Sequence, residues 1–278
     1  MKKFLFVALL FPCLLSLAQE TDVFFYQRAL DHKNNGRYNE SLADLDKAIS
    51  INNNKAPYFF ARASVKMSLQ KDKMALKDFN TCLSLAPADT LAYIERGLLR
   101  FRLNDKRGAV RDFTKALELD KGNYRVFIYR AESKAILSDF MGAIGDYTVF
   151  LDKYPDSTLY LYPRACSKIE LKDYTGAIED LNSFIKWDSA NVNGFIKRGI
   201  AYFDVDKLPE AKDDFSKAIA LDDKNAEAFY RRGILLKKEG QTQAACLDLS
   251  RAGELGHVLA YGAIKVLCNN NDSNLPNK

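Results

Sequence analysis

Apolar residues recur along this chain at helical spacing, in paired runs separated by short polar breaks. Residues 90–123 show the pattern. Tyr93, Gly97 and Phe101 fall four apart, on one face of a first helix. Asn104 and Asp105 interrupt it. Ala109, Phe113, Ala116 and Leu117 then share one face of a second helix, which Asp120 to Asn123 end. The pattern predicts a helix–turn–helix unit with helices of about 14 residues.

The unit repeats. A phrase of small residue, variable pair, Asp, and an aromatic residue or Leu occurs as SLADL (41–45), ALKDF (75–79), AVRDF (109–113), AIGDY (143–147), AIEDL (177–181), AKDDF (211–215) and ACLDL (245–249). Each start lies 34 residues after the last, without insertion or deletion. The units are 22–55, 56–89, 90–123, 124–157, 158–191, 192–225 and 226–259. Position 8 of each is small: Ala29, Ala63, Gly97, Ala131, Ala165, Gly199 and Gly233. Position 20 is also small, from Ser41 and Ala75 to Ala245. Position 4 is large (Phe25, Phe59, Tyr93, Phe127, Leu161, Phe195, Phe229), and position 24 alternates Leu, Phe and Tyr. Small positions let two helices approach and the large ones fill the space between them, so the aromatic stripe reads as core rather than as a cofactor box.

This unit resembles the tetratricopeptide repeat, over essentially the whole chain after its first segment. The resemblance implies an all-α protein, a right-handed α-solenoid of seven tandem repeats, with first helices lining a concave face. Residues 258–268 (VLAYGAIKVLC) read as a closing helix over the last repeat, and 269–278 as a polar, disordered tail. Some positions depart from the family's pattern: Ser41 for Ala, Phe150 and Phe184 at position 27, and Pro163 inside a first helix, where it should delay or kink the start.

Residues 1–18 (MKKFLFVALLFPCLLSLA) have a basic start at Lys2 and Lys3, a short apolar core, and small residues before a cut after Ala18. That predicts a signal peptide and an exported, periplasmic or envelope-associated protein; the competing reading is a lipoprotein signal using Cys13. The leader resembles those of exported Bacteroidetes proteins. No later stretch is long and apolar enough for a membrane span. The net charge of +5 falls to +3 once Lys2 and Lys3 are removed, too small and dispersed to imply nucleic acid or a membrane surface.

Two charged positions are invariant among the units. Position 7 is Arg28, Arg62, Arg96, Arg130, Arg164, Arg198 and Arg232; position 23 is Asp44, Asp78, Asp112, Asp146, Asp180, Asp214 and Asp248. One reading is a row of arginines for phosphate or an acidic polymer. The other pairs each Arg with the Asp of its own unit, and the matched numbers favour it. Among the cysteines, Cys246 and Cys268 would be brought to similar height by antiparallel helices, either as a disulfide or as two buried thiols. Cys82 and Cys166 are too far apart along the repeats to meet. The two histidines, His32 and His257, lack the neighbours of a catalytic or metal site, and no phosphate-binding or hydrolase motif is present. The chain therefore reads as non-enzymatic, without metal or cofactor.

The resemblance places positions 5, 9 and 12 of each first helix, among others, on the groove. The candidates for partner binding are Tyr26, Phe60, Ile94, Leu98, Phe101, Ile128, Tyr162, Ile169, Ile196, Phe203 and Tyr230, with Leu30, Met67, Ile200 and Ile234 beside them. Part of this stripe packs on neighbouring helices; the rest should hold an apolar protein segment, with Arg231, Lys237 and Lys238 orienting an acidic flank. The Lys and Asn set of the family's carboxylate clamp is missing from unit 1, which has Tyr26 and Leu30. The expected role is a scaffold for a protein or peptide partner. Two alternatives are a structural spacer in an envelope complex and a binder of glycan or cell-wall fragments.

Overall fold

The computed structural model describes residues 21–268. The expected signal peptide (1–18) and tail (269–278) lie outside the described residues. Fifteen α-helices and one 3-10 turn are present, with no strand among the described residues. The first-position helices are α1 (Asp22–Asn34), α3 (Ala56–Ser68), α5 (Thr90–Arg102), α7 (Tyr124–Ile136), α9 (Leu161–Glu170), α11 (Val192–Asp204) and α13 (Ala226–Lys238). The second-position helices are α2 (Tyr38–Ile51), α4 (Asp72–Leu85), α6 (Lys106–Leu119), α8 (Phe140–Lys153), α10 (Tyr174–Trp187), α12 (Leu208–Leu221) and α14 (Thr242–Glu254); α15 (Ala260–Leu267) follows. The chain forms two compact units, one ending at Leu103 with α1–α5, the other beginning at Asn104 with α6–α15. Within each, a first helix packs on its second helix, and the second helix on the first helix of the next repeat, as α1 on α2 and α2 on α3.

The small-against-large pairing is direct. A Cβ built on Gly199 would lie 2.6 Å from the ring of Phe215, and one on Gly233 2.9 Å from Cγ of Leu249. Ser41, wholly buried, donates its hydroxyl to the Ala29 carbonyl at 2.7 Å, so this polar substitute is satisfied. Phe184 is accommodated by Gly194 in the following helix, where a Cβ would sit 3.2 Å from its ring. Pro163 has the expected effect on the helix start: a 3-10 turn at Thr158–Tyr160 precedes α9, which has 10 residues where α7 and α11 have 13. The proline occupies the first turn, where its missing N–H leaves no hydrogen bond unmade.

Each first helix ends the same way. Position 15 has positive φ in all seven repeats: Gly36, Gln70, Asn104, Ser138, Lys172, Asp206 and Gly240. Only two are glycine. An L side chain in this region is strained by about 1–2 kcal/mol. Lys172→Gly is therefore expected to stabilise the chain by about 0.5 kcal/mol after the added freedom of the unfolded state is subtracted. A thermal midpoint at or below that of the parent would refute this.

At the C-terminal end, Cys246 and Cys268 form a disulfide with 5.9 Å between their Cα atoms. It ties α15 to α14. The ring of Tyr261 also closes over Gly253, where a Cβ would approach it to 3.0 Å. Cys82 and Cys166 are free thiols.

Candidate binding face

The position-7 arginines act within the fold. In six repeats the Nε and Nη2 atoms grip both oxygens of the position-23 carboxylate at 2.6–3.0 Å: Arg28 with Asp44, Arg62 with Asp78, Arg130 with Asp146, Arg164 with Asp180, Arg198 with Asp214, and Arg232 with Asp248. Arg96 and Asp112 fall one in each compact unit. The remaining Nη1 donates backwards to position 25 of the preceding repeat, at 2.8–3.2 Å: Arg62 to Asp46, Arg96 to Asn80, Arg130 to Thr114, Arg164 to Thr148, Arg198 to Asn182 and Arg232 to Ser216. The guanidinium thus pins one hairpin to the next, using its planar fork in a way an ammonium could not.

A second cation, which the sequence reading missed, joins three of these pairs. Position 11 supplies Lys66 to Asp78 at 2.6 Å, Lys134 to Asp146 at 2.8 Å and Lys168 to Asp180 at 2.9 Å, while His32 stands 3.5 Å from Asp44. Its signal was present, but in fewer units than the Arg and Asp. Where Tyr202 replaces it, Asp214 has Arg198 as its one cation among the described residues, and burial outweighs it and pushes the carboxyl above its ordinary value. At Asp44 the hydrogen bond from Arg28 prevails and lowers it.

The expected groove residues divide into three groups. Ile94, Ile128 and Ile196 are buried, which corrects their assignment to a binding surface: they are core. Ile128 belongs to the cluster around Tyr147, and Ile196 to that around Phe184. A second group is half-buried and engaged. Tyr26 lies 4.7 Å from the Tyr58 ring, and Tyr162 lies 5.2 Å from Phe184 with Ile169 in the same cluster. Tyr230 stacks on His257 at 4.0 Å, and the imidazole Nε2 is 2.8 Å from Glu227. Leu98 and Phe101 are half-buried on α5.

The third group lines clefts. In the first unit, Phe60 and Met67 share an open cleft with Lys33, Ser64, Leu91 and Glu95. Burial raises the Glu95 carboxyl above its usual range. In the second unit, Ile200, Phe203 and Ile234 meet Phe215 in a small cavity between α11 and α13, with Asp204 and Arg231 also lining it. Its volume of about 80 Å³ admits one short aliphatic side chain; a benzene-sized group needs about 150 Å³. The basic residues expected to orient an acidic flank are already engaged, a second correction. Arg231 pairs with Glu227 at 2.6 Å, Lys238 with Asp206 at 2.8 Å, and Lys237 donates to Thr242. Glu227 one helical turn away and Asp206 take up Arg231 and Lys238, and the Thr242 hydroxyl takes up Lys237. By contrast Glu132 on α7 has no ion-pair partner among the described residues, and burial pushes its carboxyl up.

Family models of the tetratricopeptide repeat match residues 24–55, 56–89, 91–123 and 215–246. The chain carries tetratricopeptide repeats. Solved structures agree with that fold. A C-terminal part of a tetratricopeptide-repeat protein from Cytophaga hutchinsonii matches 86% of this chain and 99% of its own, at 16% identity and TM-score 0.68. A tetratricopeptide-repeat protein from Parabacteroides merdae matches 89% of this chain and 99% of its own, at 17% identity and TM-score 0.58. A fragment of MamA from Desulfovibrio magneticus covers 60% of this chain and 94% of its own, at 17% and 0.58. No curated protein matches. No helix of this tetratricopeptide-repeat chain is long and apolar enough to cross a membrane, among the described residues.

Proposed function

We propose that this chain is a non-catalytic scaffold that, after export, binds a protein segment in the cell envelope through its first-helix positions. The observation that carries the reading is the cavity between α11 and α13. It is walled by Ile200, Phe203, Phe215 and Ile234 and shaped for one aliphatic side chain of a partner. The fold leaves this cavity open while nearby positions such as Ile196 and Tyr230 are covered. Glu132, without an ion-pair partner among the described residues, favours a partner that also carries a basic residue.

The test replaces Phe203 and Ile234 together with Ser, and measures retention of envelope proteins alongside thermal unfolding. A folded double variant that loses at least about 10-fold in retention supports the cavity as the anchor site, since two truncated apolar anchors exceed the 1.4 kcal/mol this requires. Full retention by a folded variant removes the site and favours the spacer role. Retention of the parent on peptidoglycan, with no protein partner, favours the glycan reading.

A further inference from the structure

Helix α15 starts at Ala260, in register with Ala226 at the start of α13, so it stands where the first helix of a further repeat would begin. Its position 7 is Val266 rather than arginine, and position 25 of the repeat before it is Ser250. The backward guanidinium bond that fastens the other junctions therefore cannot form here. Of the eight residues of α15 only Ala260 is buried. The Cys246–Cys268 disulfide takes over the fastening. Both cysteines are half-buried and line an open cleft with Thr242, Gln243, Leu247 and Ser250, which admits a dissolved thiol to them.

The disulfide also holds the segment that enters α15. Gly256 turns the chain at φ +88°. The next residue, His257, lies flat on Tyr230, with the rings 4.0 Å apart and 15° from parallel, and its Nε2 is 2.8 Å from Glu227. Glu227 pairs in turn with Arg231, which lines the cavity between α11 and α13. Tyr230 is one of the residues expected to meet a partner, and the chain's own imidazole covers it. The contact is incomplete in itself. Nδ1 of His257 is buried with no hydrogen-bond partner among the described residues, and an unsatisfied buried polar atom disfavours the seated state. A covalent tether offsets that cost.

We propose that residues 256–268 form a redox-held strap: while the disulfide is closed, His257 occupies Tyr230 and Glu227, and opening of the disulfide by a dithiol frees this end of the α13 face for the partner. The proposal rests on the reading that the partner binds beside α13. A thiolate of the dithiol attacks one sulfur, the Cys246–Cys268 bond breaks, and a mixed disulfide forms; the second thiol then displaces the protein sulfur. Two electrons pass to the strap cysteines, two protons from the dithiol end on them, and the reductant leaves as a disulfide. Once the bond that closes 22 residues is open, the unseated strap regains the freedom the loop had removed. The contacts left to oppose this are slight: buried Ala260, Tyr261 over Gly253, and the unsatisfied His257.

Hydrogen exchange of residues 257–268 in the full chain should accelerate about 100-fold when a dithiol reduces it, with α11 and α12 unchanged. In a Cys246→Ser/Cys268→Ser variant without reductant, N-acetylimidazole should acetylate Tyr230 at least about 10-fold faster than in the oxidised parent. Tyr162, which packs on Phe184 instead, should react at the same rate in both. His257→Ala in the oxidised chain should uncover Tyr230 while α15 keeps its protection. Retention of envelope proteins should rise at least about 5-fold on reduction. Exchange that ignores reduction, or a Tyr230 as protected in the Ser variant as in the parent, overturns the strap. A released strap with unchanged retention, in a chain whose retention the Phe203 and Ile234 substitutions abolish, overturns its control of the partner. If those substitutions leave retention intact, the partner site falls, while exchange and acetylation still decide the strap.

Discussion

Asp146→Ala is expected to destabilise the α7–α8 hairpin by about 3 kcal/mol, the loss typical of removing one partner from a buried ion pair. The Asp146 side chain is 7% exposed and accepts from Arg130 at 2.8 and 2.7 Å, with Lys134 at 2.8 Å. Without the carboxylate, two cations face each other in a partly desolvated site. Thr114 still accepts from Arg130, but a hydroxyl neutralises nothing. Asp146→Asn should lose less, because it keeps one acceptor in place. Repeat arrays open locally, so hydrogen exchange of α7 and α8 is the appropriate measurement. An acceleration of at least about 100-fold is expected, with retention of a partner at the α11–α13 cavity unchanged. Exchange indistinguishable from the parent would show that the pair contributes nothing.

Gly199→Ala is expected to cost about 2 kcal/mol, in the range for overpacking a close-packed core. The added methyl would stand 2.6 Å from Phe215, a ring 1% exposed and hemmed in by Ala211 and Leu235. Neither helix can withdraw without disturbing the Arg198–Asp214 pair. Phe215→Leu vacates that space, so the double variant should lose less than the two single losses added together. Strict additivity in thermal or denaturant unfolding would show that the contact is not the cause.

The hairpins could be read from sequence because their packing needs a different residue size at each position. Gly199 must be small and Phe215 must be large for one shared reason, and both recur every 34 residues. The Arg–Asp pairing could be read for the same reason. The backward reach to position 25 was hidden because Asp46, Asn80, Thr114 and Ser216 share only a hydrogen-bond acceptor, not an identity. The left-handed residue at position 15 was announced by Gly36 and Gly240 but masked by Gln70 and Lys172. The binding face was the least legible. Helical spacing serves equally for contact with a partner and for contact with the next repeat, so Ile196 and Ile200 look alike in sequence. Only the structure separates the buried one from the one that lines a cavity.

The guanidinium that reaches back one repeat also makes the chain divisible. Excision of residues 124–157 would bring Arg164 against Thr114, the same residue type as the Thr148 it would leave behind. The junction is rebuilt because the boundaries share one backward bond, from the arginine at position 7 to position 25 of the preceding repeat. Unequal recombination between neighbouring repeats can therefore lengthen or shorten such a protein in whole steps of 34 residues, while an excision of any other length would shift the later arginines out of register with their acceptors.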